Sequence, residues 1–178
     1  MSRSMDVAEF DELNSYLREL PVGYHEVIKG ELLTFAWDNA NERRRDHFFV
    51  ASKDLYPNTM TWDLYSTLWF DLTTWASFEK DAYAVCRIDQ KWAGEKNFHT
   101  TLAEALNKVV NVHESEIYLL EIDGQTRLAL EDDSMEMMIY FFYNKNLKRL
   151  VCVKIATYEK FDMDEDEDEE EDHGDDDD

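Results

Sequence analysis

The chain has 178 residues, 41 of them acidic and 18 basic, for a formal net charge of −23 at neutral pH. That length favours a single domain, and so acidic a balance argues against ordinary duplex DNA binding, which needs clustered Lys and Arg to displace counterions. Two cysteines, Cys86 and Cys152, are too few for a disulfide framework and suit a reducing compartment.

The N-terminal MSRSMDVAEF lacks the apolar core of a secretory signal. The longest strongly apolar run, Met137–Tyr143, is too short to span a bilayer. The expectation is a soluble, intracellular protein. Charge is unevenly placed: the stretch 162–178 holds 14 acidic residues and no Lys or Arg, leaving 27 acids against 18 bases before it. With Met163 as its one apolar side chain, that stretch cannot offset its own ordering entropy. The sequence therefore divides into a folded domain, 1–161, and a disordered acidic tail, 162–178.

In chain order, Phe10, Leu13, Leu17 and Leu20 recur at helical spacing until Pro21 and Gly23 stop them. Val27 to Trp37 is rich in β-branched and aromatic residues and is predicted as a strand. NANERRRD, 39–46, is a short polar connection, and HFFVAS, 47–52, a second strand stopped by Tyr56-Pro57-Asn58. Between Thr61 and Phe78, seven apolar residues fall three or four apart, predicting one long helix with Thr61 as its cap. Gly94 breaks the chain before a further helix bearing Leu102, Leu106, Val109 and Val110, for which Thr100 is the candidate cap. SEIYLLEI, 115–122, is a strand, followed by a polar loop from Asp123-Gly124. Met137–Tyr143 and Leu150–Tyr158 then form a hairpin around NKNLKR. Ile139, Phe141 and Tyr143 point one way, Tyr140 and Phe142 the other, so this strand should lie inside a sheet covered on both sides. The predicted fold class is α+β: a mostly antiparallel five-stranded sheet with helices on both faces, an α/β/α sandwich.

The residues give little reason to expect catalysis. No HExxH, CxxC or G-x-S-x-G occurs, and the five glycines are too dispersed to cradle a phosphate. His113-Glu114-Ser115-Glu116 is the nearest approach to a metal cluster, but neighbours on a strand face opposite ways and cannot converge unaided. No enzyme, metal or cofactor is expected. The basic residues stand out because they are scarce. Arg43, Arg44 and Arg45 are consecutive, and Lys145, Lys148 and Arg149 cluster at the hairpin turn. Charged turns discourage edge-to-edge pairing; against an acidic background such a cluster is also a candidate contact.

At this hairpin the sequence resembles a known family. YFFYNKNLKRLV, 140–151, is similar to the C-terminal box of the Maf-one repressors of RNA polymerase III. IKGELLTF, 28–35, resembles the start of their N-terminal box, and ALNKVVNVHESEIYLLEI, 105–122, the helix-to-strand entry to the C-terminal one. FVASKDLYP, 49–57, is more weakly similar to the middle box. The chain departs from the family at YPNTMTW, 56–62, and at Met135–Met138, and its inter-box linker is reduced to 39–46. The resemblance implies a monomeric, nuclear repressor, shuttling with the cytoplasm. It would bind the polymerase clamp region and the Brf initiation-factor subunit, blocking assembly at transfer RNA and 5S genes. Carried onto this sequence, the contacts would be Asn144, Lys145, Lys148 and Arg149, with Lys29. The alternative class is an acidic decoy that shields basic proteins or mimics nucleic acid, which needs no particular fold, only the tail and an acidic face.

Overall fold

The structure is a computed structural model that describes residues 2–22, 25–39, 41–86 and 98–159. The acidic tail and Gly94 lie outside the described residues. The chain runs β1 (Arg3–Met5), α1 (Ala8–Tyr16), β2 (Leu20–Val22), β3 (Glu26–Ala36), α2 (Arg44–Leu55), α3 (Trp62–Ser66), β4 (Phe70–Thr73) and α4 (Trp75–Cys86). It continues through α5 (Phe98–Val110), a 3-10 turn at Val112–Glu114, β5 (Glu116–Leu120), α6 (Gly124–Leu130), β6 (Ser134–Asn144) and β7 (Arg149–Glu159).

The strands form one sheet in the order β1-β3-β7-β6-β5-β4, with β2 also on β3, and every pairing is antiparallel. The sheet has seven strands where five were expected. One of the five, 47–52, is helix, and the three strands not expected, β1, β2 and β4, are three, three and four residues long, too short to show a period of two.

β1 and β2 share the outer edge of β3, pairing with its two ends: Met5 sits opposite Thr34, and Leu20 opposite Ile28. Helix α1 closes the gap between them. Leu32 N–H donates to Asn14 Oδ1 at 2.7 Å while Asn14 Nδ2 donates to the Leu32 carbonyl at 3.1 Å. Gly30 N–H donates to the Leu17 carbonyl at 2.7 Å. One side-chain amide thus replaces a strand residue, and this edge is not left open.

Side chains alternate along β6 and β7 into two apolar clusters. Phe10 and Leu13 of α1, Phe78 of α4, and Leu102 and Leu106 of α5 pack with Tyr140, Phe142, Val151 and Val153. Phe48, Ala51 and Leu55 of α2, Tyr65 of α3 and Leu130 of α6 pack with Phe35, Ile139, Phe141 and Cys152. The Phe48 and Phe141 rings stack with centroids 4.7 Å apart.

Four further expectations are corrected. Residues 47–52 are helix, not strand, because Phe48, Ala51 and Leu55 fall at positions i, i+3 and i+7 and all are buried; Arg44–Asp46, read as connection, form its first turn. The long helix over 61–78 is instead α3, β4 and the start of α4. Thr61 does cap α3, its side chain accepting from Leu64 N–H, but FDLT pairs with β5. Thr74 Oγ1 then accepts from Ser77 N–H at 3.2 Å and starts α4. Thr100 lies inside α5, which includes Phe98, and Asp123-Gly124 opens α6 and not a loop, with Asp123 Oδ1 accepting from Thr126 N–H at 2.7 Å.

Candidate partner-binding surface

The hairpin between β6 and β7 gathers four of the five expected contact residues, with different roles. Asn144 is fully buried. Its Nδ2 donates to the Val110 carbonyl at 2.8 Å, and its Oδ1 accepts from Leu147 N–H at 2.9 Å. It ties the turn to the last residue of α5 and is not presented to solvent. Arg149 is half-buried, and its Nη1 donates to the Val109 carbonyl at 2.9 Å. A guanidinium at a helix C-terminus satisfies an orphan carbonyl and opposes the negative end of the helix dipole.

Lys148 occupies the left-handed region, at φ 51°. Its carbonyl accepts from Trp37 N–H at 3.3 Å, and its Nζ donates to the Asp38 carbonyl at 2.9 Å. Asp38 in turn accepts from Arg3 Nη1 at 2.7 Å, which holds its carboxyl below the ordinary range. Lys145, by contrast, is exposed.

Lys29 is not part of this group. It lies on β3 seven residues from Ala36, the partner of Arg149, a separation of roughly 23 Å at the usual strand rise. Exposed, it holds Nζ 5.1 Å from the Tyr158 ring centre. On the same face Glu131 bonds to both Lys154 and the Tyr158 hydroxyl, and burial followed by that second bond pushes the Tyr158 phenol well up.

Other surface features were not anticipated from sequence. Arg44 reaches the Tyr118 hydroxyl, which donates to Glu116 at 2.6 Å; burial first, then this bond, push the phenol up to about 12. Trp69 and Leu72, assigned to a packed helical stripe, are among the most exposed large apolar residues. A groove of about 590 Å³ beside them is lined by Leu68, Trp69, Asp71, Glu121, Ile122 and Asp123. Among the described residues no group of three or more His, Cys, Asp or Glu could hold a metal ion. None of their helices is long and apolar enough to cross a membrane.

A family model described as Maf1 regulator matches residues 59–154, from the approach to α3 to the middle of β7. The chain belongs to the Maf1 family. The Maf1 match contains both the 105–122 segment and the 140–151 hairpin that carried the resemblance, and it stops short of 28–35 and 49–57. Two crystal structures of citrus MAF1 have the same fold. One is 20% identical with a TM-score of 0.67, covering 86% of this chain and 100% of that one. The other is also 20% identical, with a TM-score of 0.64 and coverages of 85% and 99%. No curated protein matches. Membership of Maf1 makes this chain a regulator of the Maf1 type, a class not known for catalysis.

Proposed function

We propose that this chain represses transcription by RNA polymerase III. It binds the polymerase, at its clamp region, or the Brf initiation factor, and so prevents assembly at transfer RNA and 5S genes. The observation that carries this reading is the Maf1 match over residues 59–154. The geometry of the turn adds to it: buried Asn144 and half-buried Arg149 fix the hairpin on α5 and leave Lys145 outward. A rigid turn loses little entropy when its cation meets a partner. The site of action is the nucleus, with exchange into the cytoplasm.

The test is direct. Purified full-length protein added to a reconstituted polymerase III system should inhibit transcription of a transfer RNA gene and co-purify with the polymerase or Brf. Retention of histones and other basic proteins without polymerase, lost on deleting 162–178, would transfer the reading to an acidic decoy.

A further inference from the structure

The strand β4 is the outermost of the sheet, and no described strand lies beyond it. Glu121 N–H donates to the Trp69 carbonyl at 2.8 Å, and the register continues through Phe70 opposite Leu120 to Thr73 opposite Ile117. Opposed residues in an antiparallel ladder alternate between bonded and non-bonded pairs. With Trp69 bonded, Asp71 and Thr73 turn their backbone groups toward β5, while Phe70 and Leu72 turn theirs outward. The edge therefore offers two N–H and two carbonyl groups to an incoming strand.

Its side chains match that vacancy. Successive residues on a strand point to opposite faces, so Trp69 and Leu72 lie on different sides of the sheet. They are 75% and 68% exposed. A single strand laid against β4 would cover apolar surface on both faces, which a helix docked on one face could not do.

Charge selects the occupant. Asp71, Glu121 and Asp123 line the groove beside Trp69. Asp71 and Glu121 are close enough that their hydrogen bond raises the Glu121 carboxyl above its ordinary value. A cation placed between them would relieve that crowding. A second copy of this chain is disfavoured, because pairing Phe70 of one β4 with Leu72 of the other would oppose the two Asp71 residues directly.

We propose that the free edge of β4 docks an extended, Lys- or Arg-bearing segment of the polymerase or its Brf factor, added as one more antiparallel or parallel strand. This rests on the repressor reading and gives it a contact surface besides the hairpin turn. Main-chain hydrogen bonds would supply affinity, and the flanking apolar and acidic side chains the specificity.

The experiment is hydrogen exchange, resolved to single amides, on the full chain alone and bound to purified polymerase III and Brf. The amides of Phe70 and Leu72 should exchange fast in the free protein and at least about tenfold more slowly in the complex. Those of Asp71 and Thr73 should be protected in both. Leu72→Pro removes an outward donor without touching the β4–β5 ladder, and should weaken binding about tenfold or more. Trp69→Ser with Leu72→Thr keeps the strand should the proline variant fail to fold, and should weaken binding similarly. Asp71→Lys should reduce it further. Normal binding by these variants, with no new protection at Phe70 and Leu72, overturns the edge assignment and leaves the repressor reading standing. Failure of the wild-type chain to bind polymerase or Brf overturns both. Protection of the same amides on self-association of the chain alone overturns the basic partner in favour of a second copy.

Discussion

Asn144 and Val110, 34 residues apart, are joined by a 2.8 Å hydrogen bond from the asparagine amide to the last carbonyl of α5. Because the other end of the same amide accepts from Leu147 N–H, one buried side chain fixes the turn and the helix together. Asn144→Ala strands a buried carbonyl and frees the turn, and should cost about 1–3 kcal/mol. Urea denaturation of the two proteins measures it. Asn144→Asp should be worse than alanine, since a buried carboxylate would face the Val110 carbonyl with no proton to donate.

The exposed cation of the turn should separate from its scaffold. Lys145→Glu is a surface change and should alter stability by no more than about 0.5 kcal/mol, while reducing polymerase binding if the turn touches the partner. Lys148→Gly tests the backbone: a left-handed lysine costs about 1 kcal/mol relative to glycine, partly offset by loss of the bond from Nζ to Asp38. The expected result is a chain at least as stable as wild type that binds less well. Thermal melts paired with binding titrations on the same samples would decide it; loss of binding only in proportion to loss of stability would remove the turn from the interface.

What was legible in the sequence followed from the strength of the local pattern. Residues 137–143 read as a two-faced strand because both alternating sets are apolar, and Tyr140 and Phe141 are indeed both fully buried on opposite faces. α2 was obscured by its start: Arg43 at the N-cap makes no side-chain bond, so no capping signal marks the helix, and three arginines mimic a loop. β4 is hidden for a different reason. Trp69 and Leu72 complete a helical spacing with Trp62, Tyr65 and Phe78, yet only Tyr65 and Phe78 of these five are buried; the open side of β5 decides the conformation of 70–73, and that is a long-range fact. The basic cluster at 145–149 was visible as a cluster. That Arg149 caps a helix 40 residues earlier was not.

Gly30, in the IKGELLTF segment, is needed for proximity. A Cβ there would meet the Lys154 carbonyl at 2.9 Å and Leu17 Cδ1 at 3.3 Å. The first contact is with backbone and cannot be relieved by a rotamer change. Gly30→Ala should therefore push β3 from β7 or displace the end of α1, costing about 1–3 kcal/mol as overpacking does. Denaturant midpoints check the loss. Gly124→Ala is the control, because a Cβ at that position meets nothing within 4 Å, and at the first residue of α6 alanine should leave stability unchanged or raise it by less than about 1 kcal/mol.

His47 sets a pH dependence whose sign follows from its surroundings. The ring is 1% exposed, stacked on Trp37 with centroids 3.9 Å apart, and bonded through Nδ1 to the Ser2 hydroxyl. Burial lowers its pKa from the ordinary value of 6.5, against a smaller opposing pull from Asp46, and the Glu42 carboxylate stands 3.7 Å from its Nε2. The unfolded chain thus takes up a proton at a pH where the folded chain still resists one. Stability from this group is complete above 6.5 and falls as the pH drops from there through the folded value, with a limiting slope of about 1.4 kcal/mol per pH unit. Since Ser2 is held to His47 and the adjacent β1, among the described strands, pairs only with β3, acid should loosen that strand first. His47→Gln should be less stable at pH 7.5, having lost the stacking, but should show a shallower decline between pH 6.5 and 5.5. Urea midpoints at the three pH values give both slopes, and equal slopes would acquit His47 and place the acid sensitivity elsewhere.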